Sequence, residues 1–141
     1  MGSSSLQAAI FTNEARAETL TNEITDNSMD LRLHQKHSSK EIADIHAQYA
    51  PEKERIQNEI AGLDKIEQQD EYQNLMTELK DLREEEEAAV RQIEDETKDY
   101  ETIVQTENEM LEVQLEEVNT STESFKEMLK QNIENEFGYF Q

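Results

Sequence analysis

A chain of 141 residues has room for one ordinary domain, yet only 34% of it is apolar, 33% is charged, and the formal net charge is −21. Three glycines, one proline and no tryptophan or cysteine exclude a turn-rich β-sheet, a disulfide framework, a thiolate nucleophile and a cysteine metal site. The acid excess disfavours nucleic acid and anionic lipid surfaces, both recognised through lysine and arginine.

Residues 1–5 read as a frayed or non-native start. Met1-Gly2 lacks the serine or threonine that a myristoylation signal wants at the position of Leu6. From there an apolar stripe runs through Leu6, Ile10, Ala17, Leu20, Ile24, Leu31, Ile42, Ile45, Tyr49, Ile56, Ile60 and Leu63. Steps of three and four, or their sums, are those of one helix face. Breaks are expected at three places in this N-terminal arm, residues 1–61. Thr25-Asp26-Asn27-Ser28 interrupts the stripe. Within residues 36–39, Ser38 with Glu41 forms a capping box that would start a new helix, although a helix running straight through is equally compatible. Pro51, followed by Glu52 and Glu54, predicts a kink or a restart.

Residues 62–64 are the best turn in the chain. Gly62 suits the left-handed residue that closes a helix, and Asp64 with Glu67 makes a capping box for the next one. One uninterrupted helix is the alternative. Folding at 62–64 would set position i beside about 126 − i. Arg32, Lys36 and Lys40 would then face the acids of residues 86–94, with Arg55 opposite Glu71 and Arg16 opposite Glu109 and Glu112. Such flanking charges choose partner and orientation in paired helices. The same arithmetic leaves residues 126–141 overhanging.

The remaining residues, 65–141, predict one long acidic helix. Its stripe is Leu75, Leu79, Leu82, Ala89, Ile93, Thr97, Tyr100, Val104, Leu111, Leu115, Val118, Thr122, Phe125, Leu129, Ile133 and Phe137, and no basic residue falls between Lys98 and Lys126. The average step, about 3.65 residues, exceeds the 3.5 of a strict heptad and predicts a bundle or loosely wound coil. Asn119-Thr120-Ser121-Thr122-Glu123-Ser124 offers a joint before an aromatic tail, residues 125–141. An apolar surface that a hairpin cannot cover itself marks an interface, the alternative being a tail that folds back on its own helix. The expected interface residues are Leu111, Leu115, Val118, Phe125, Met128, Leu129, Ile133, Phe137, Tyr139 and Phe140.

The expected fold is therefore all-α: an elongated antiparallel helical hairpin or coiled-coil-like bundle with a long acidic C-terminal helix. Catalytic, cofactor and metal residues are expected to be none. The run Glu84–Glu87 reads as a solvated face, and the Glu-x-x-His pattern of di-iron bundles is absent. His34, His37 and Glu41 are too few ligands for zinc. No phosphate-binding glycine loop or nucleophile elbow occurs. The longest apolar run, Ala8-Ala9-Ile10-Phe11, is too short for a spanning helix or signal-peptide core. The expectation is a soluble protein of unassigned compartment (cytoplasmic, virion or secreted without a cleaved signal). Its function is expected to be that of a non-enzymatic structural or assembly subunit, packing against copies of itself or neighbours in a virion, filament or secretion apparatus. The alternative is an acidic coiled-coil adaptor or chaperone for a basic protein partner.

Overall fold

The structure, a computed structural model, describes residues 2–139, the last of them in its backbone only. It is an all-α helical hairpin of two long helices, α1 (Ser3–Ala61) and α2 (Gln69–Tyr139), with no strand among the described residues. Glutamate, glutamine, leucine, lysine and alanine make up about half of α2 and a large share of α1, and these lose little side-chain freedom in a helix. Each stripe turns one face inward. All positions of the stripe from Leu6 to Leu63 are buried or half-buried, as are the α2 positions from Leu75 to Leu129. Ile133 and Phe137 remain exposed.

The expected breaks are helical. Thr25 and Ser28 donate their hydroxyls to the carbonyls of Thr21 and Ile24, one turn back, so neither competes with the backbone ladder. Ser38 does not cap a new helix; it is buried against α2. Thr122 likewise donates to the Val118 carbonyl, and the helix continues through residues 119–124 without a joint. Pro51 lies inside α1 on its exposed side, so the carbonyl it leaves without an intrahelical donor, that of Ala47, sits at the solvent face.

The connection is longer than expected, covering residues 62–68. The Gly62 amide closes α1 on the carbonyls of Asn58 and Glu59 without a left-handed residue, since no described glycine has a positive φ. Asp64 then caps the short turn of residues 65–68: its Oδ1 accepts from the amides of Ile66 (3.0 Å) and Glu67 (3.3 Å). The reciprocal bond comes from Gln68 rather than Glu67, Gln68 Oε1 accepting from the Asp64 amide at 3.1 Å. Lys65 Nζ sits 5.4 Å from the centre of the Tyr72 ring, and Asp70 and Glu71 open α2 at its positive end.

The longer turn changes the register. Facing residues add to about 135 rather than 126: Ser38 meets Thr97, Asn27 meets Asn108, and Asn13 meets Ser121. The expected charge pairs therefore do not form. Arg55 approaches Glu78, at 3.6 Å, in place of Glu71. The expected overhang also shrinks, because Lys126 pairs with Glu14 and Ser3 donates to Glu136.

The chain divides into two compact units. One, Arg32–Glu101, contains the connection. Its apolar cluster is Ile56, Leu75 and Leu79, with Ile60, Leu63 and Leu82 packed against it. Polar layers lie further along the seam. Glu86 meets His46 and Lys53, Ser38 meets Thr97, and the His34 ring stacks on Tyr100 with centroids 4.1 Å apart. Ser38 and Thr97 share a 2.7 Å hydrogen bond, and Thr97 Oγ1 lies equally close to the Ile93 carbonyl. One proton per hydroxyl satisfies both if Ser38 donates to Thr97 and Thr97 to Ile93.

The other unit joins Met1–Leu31 to Thr102–Gln141. Leu6, Leu20, Val104 and Leu111 are its buried apolar residues. Amide rungs lie between them: Asn27 Nδ2 donates to Asn108 Oδ1 at 3.0 Å, Asn108 Nδ2 reaches Ser28, and Asn13 reaches Ser121. Among the described residues no buried side-chain nitrogen or oxygen lacks a partner.

Candidate interaction surfaces

The seam takes up much of what the sequence offers as an outward surface. Leu111 is buried against α1, and Leu115, Val118, Phe125 and Leu129 are half-buried along the same face. Met128, Ile133 and Phe137 stay exposed. The side chain of Tyr139 and all of Phe140 lie outside the described residues.

Further large apolar side chains are exposed well away from the tail. In the unit formed by Met1–Leu31 and Thr102–Gln141, Phe11, Met29, Ile103, Met110 and Val113 join those three. Phe11 is 74% exposed, much as Phe137 is. Eighteen residues, five full turns, separate Phe11 from Met29, so both fall on one side of α1. Ile103, Met110 and Val113 likewise share the outer side of α2. Scattered apolar residues are ordinary on a surface; Phe11 and Met29 lie roughly 27 Å apart, whereas Ile103, Met110 and Val113, at seven- and three-residue steps, cluster along one side of α2. The other unit exposes only Leu33, Ile66 and Met76. The inward stripe does not mark Phe11, Ile103 and Met110, each directly beside one of its residues, or Met29 and Val113, each two residues from one; their own spacing does.

Basic residues are divided just as unevenly, although the net charges of the two units, −11 and −10, nearly match. The unit of Met1–Leu31 and Thr102–Gln141 holds three basic residues, Arg16, Lys126 and Lys130, against fourteen acids. Arg32–Glu101 holds ten bases against twenty acids.

Glu86 is the one member of the run Glu84–Glu87 that points inward, at 4% exposure. It corrects the expectation of a uniformly solvated face. Lys53 Nζ and His46 Nδ1 each donate to it at 2.6 Å. The Lys53 ammonium first, then the His46 ring, hold its carboxyl below the usual carboxylate range, against a smaller opposing effect of burial. Glu52 is likewise held low by the guanidinium of Arg55, whose own proton is held more firmly by Glu52 and Glu59. An open groove of about 470 Å³ beside Glu86 is bordered by Arg83 and Arg91 but also by Glu87 and Glu94, a mixed lining that favours no single ligand charge.

The histidine pair considered for zinc is divided between other partners. His34 stacks on Tyr100, while His37 Nε2 contacts Glu41 at 2.7 Å. No group of three potential metal ligands converges among the described residues. No described helix is long and apolar enough to cross a membrane.

No protein family, curated protein or solved structure matches this chain. The functional argument therefore rests on the surfaces themselves.

Proposed function

We propose that this chain is a non-enzymatic assembly protein, a helical subunit that packs against copies of itself or neighbouring proteins in a larger structure of the filament, virion or secretion-apparatus kind. The observation that carries the reading is the excess of exposed large apolar residues in the unit of Met1–Leu31 and Thr102–Gln141, beside a seam with few fully buried ones. A two-helix layer buries little apolar area, and each large side chain removed from water contributes roughly 1.5–3 kcal/mol. Covering Phe11, Ile103, Met110 and Val113 in a contact between chains would therefore add substantially to a thin core. Glu86, the most enclosed acid, is a poor proton carrier near neutral pH because the Lys53 ammonium and the hydrogen bond from the His46 ring hold it ionised.

Molar mass by light scattering across a concentration series tests the reading. Growth toward large or open-ended species is the expected result. A fixed monomer at every concentration would sink it. The cation-free stretch between Lys98 and Lys126 favours one second reading, an adaptor for a basic protein, which predicts that fixed mass together with salt-sensitive binding of the partner.

A further inference from the structure

Seven cations make neither an ion pair nor a hydrogen bond with any described residue: Arg16, Arg32, Lys36, Lys40, Arg83, Arg91 and Lys130. In a protein of charge −21 that is unexpected, because acids are available almost everywhere. Three of the seven form a line. Arg32, Lys36 and Lys40 recur every fourth residue on the exposed side of α1, all within the unit Arg32–Glu101. At about 1.5 Å of rise per residue they span roughly 12 Å. Leu33, 63% exposed, stands beside the first of them. Like charges one turn apart repel and destabilise an isolated helix, so local helix stability does not account for the arrangement.

A complementary line lies in the other unit. Glu109, Glu116 and Glu117 are exposed on the outer side of α2, and none has a cationic partner among the described residues. They bracket the exposed Met110 and Val113. From Glu109 to Glu117 is again eight residues, or roughly 12 Å. One surface thus presents three cations with a leucine. The other presents three carboxylates around a methionine and a valine.

We infer that the occupant of the Glu109–Glu117 surface is a second copy of this chain, docked through its Arg32–Lys36–Lys40 line. The inference deepens the assembly reading above and rests on it. Charge selects the partner surface. Two copies of the carboxylate-bearing surface placed face to face would set carboxylates against carboxylates, whereas the basic line on the acidic one sets opposite charges over the same length, roughly 12 Å, around apolar side chains. Because the two surfaces differ, the contact is heterologous. Each bound copy leaves one surface of each kind unfilled, so growth continues unless the rotation closes a ring.

Reciprocal charge reversal in the full-length protein tests this. One variant carries Arg32→Glu, Lys36→Glu and Lys40→Glu; the other carries Glu109→Lys, Glu116→Lys and Glu117→Lys. All six positions are exposed, and circular dichroism is the check that each variant remains helical. Each variant alone is expected to need at least about tenfold higher concentration than the wild type to associate. An equimolar mixture of the two should regain association as mixed complexes, since the reversed lines again match. Wild-type association that survives in either variant alone, or a mixture that stays dissociated, overturns the pairing but leaves the assembly reading intact. A wild-type chain that never gains mass overturns the assembly reading, and the pairing with it.

Discussion

The two units of the hairpin share one pairing register on the inside and differ outside in how many cations and exposed large apolar residues they carry. In Arg32–Glu101 the seam combines a compact apolar cluster at Ile56, Leu75 and Leu79 with a layer in which Glu86 meets Lys53 and His46. The unit holds ten bases among its acids, Lys53 of them in the seam, and exposes only three large apolar residues. In the unit of Met1–Leu31 with Thr102–Gln141, uncharged amides and hydroxyls cross the seam instead. There the exposed surface is acidic and studded with Phe11, Ile103, Met110 and Val113. The contrast separates two tasks that composition alone merges. One unit closes the hairpin beside the connection; the other leaves more large apolar side chains exposed.

The largest expected effect comes from breaking the closing unit. Ile56 is fully buried in its cluster, and Ile56→Ala should lower stability by about 3 kcal/mol, through lost burial and the cavity left behind. Leu6→Ala in the other unit removes a side chain almost as buried. It should cost less than half as much, because the helix end next to it frays and relaxes. Urea unfolding monitored by circular dichroism separates the two, and equal losses would remove the distinction between the units.

How far these units are legible in the sequence depends on how a helical stripe is read. Apolar residues at three- and four-residue steps declare themselves, so Leu6 to Leu63 and Leu75 to Leu129 fall on the inward face as expected. Polar residues at the same steps do not. Asn27 sits between Ile24 and Leu31, and Glu86 between Leu82 and Ala89, at three and four residues' distance. The spacing is there, but a polar side chain on the stripe resembles one on the outside until its partner is known. The register depends on the length of the connection. Gly62 announces the end of α1, whereas Asp64 and Gln68 form a further capped turn that moves the start of α2 to Gln69. A few added residues at the turn displace every cross-helix pair, which is why the tail meets Glu14 and Ser3 instead of overhanging.

The Glu86 layer sharpens the contrast through pH. Its carboxyl is held below its ordinary value of 4.5. The stabilisation is therefore complete above that value and is lost as pH falls through the lower, folded-state value. Glu86→Gln should cost about 1 kcal/mol at pH 7. The figure is modest because solvent lies close to both sides of a two-helix layer and screens the pairs. Acid also relieves the repulsion of a −21 chain, so the test is a difference. Between pH 5 and pH 3 the stability gap between wild type and Glu86→Gln should narrow. A gap independent of pH would mean that the ion pairs contribute nothing.

The amide rungs of the other unit should behave in the opposite sense. Polar residues inside paired helices fix register at some expense of stability. Replacing both Asn27 and Asn108 by leucine removes a matched donor and acceptor together, leaving neither unsatisfied. The double variant should gain about 1 kcal/mol, measured by urea unfolding, while a single Asn108→Leu, which strands the Asn27 amide, should not. A double variant less stable than wild type would show that the amides hold the unit together rather than align it.

The smallest effect on folding is expected where the effect on association should be greatest. Met110 and Val113 are 60% and 55% exposed and contribute little to the seam. Met110→Ser with Val113→Ser should therefore change unfolding stability in dilute solution by no more than about 0.5 kcal/mol. The same pair should abolish the rise of molar mass with concentration, because both side chains lie on the surface offered to a neighbour. Both measurements on one sample separate a surface kept for a partner from one that merely happens to be apolar. If folding and association weaken together, these residues belong to the hairpin's own packing. If neither changes, the acidic unit associates through Phe11 and Met29 on α1, and the same pair of measurements on Phe11→Ser would then locate the contact on that helix.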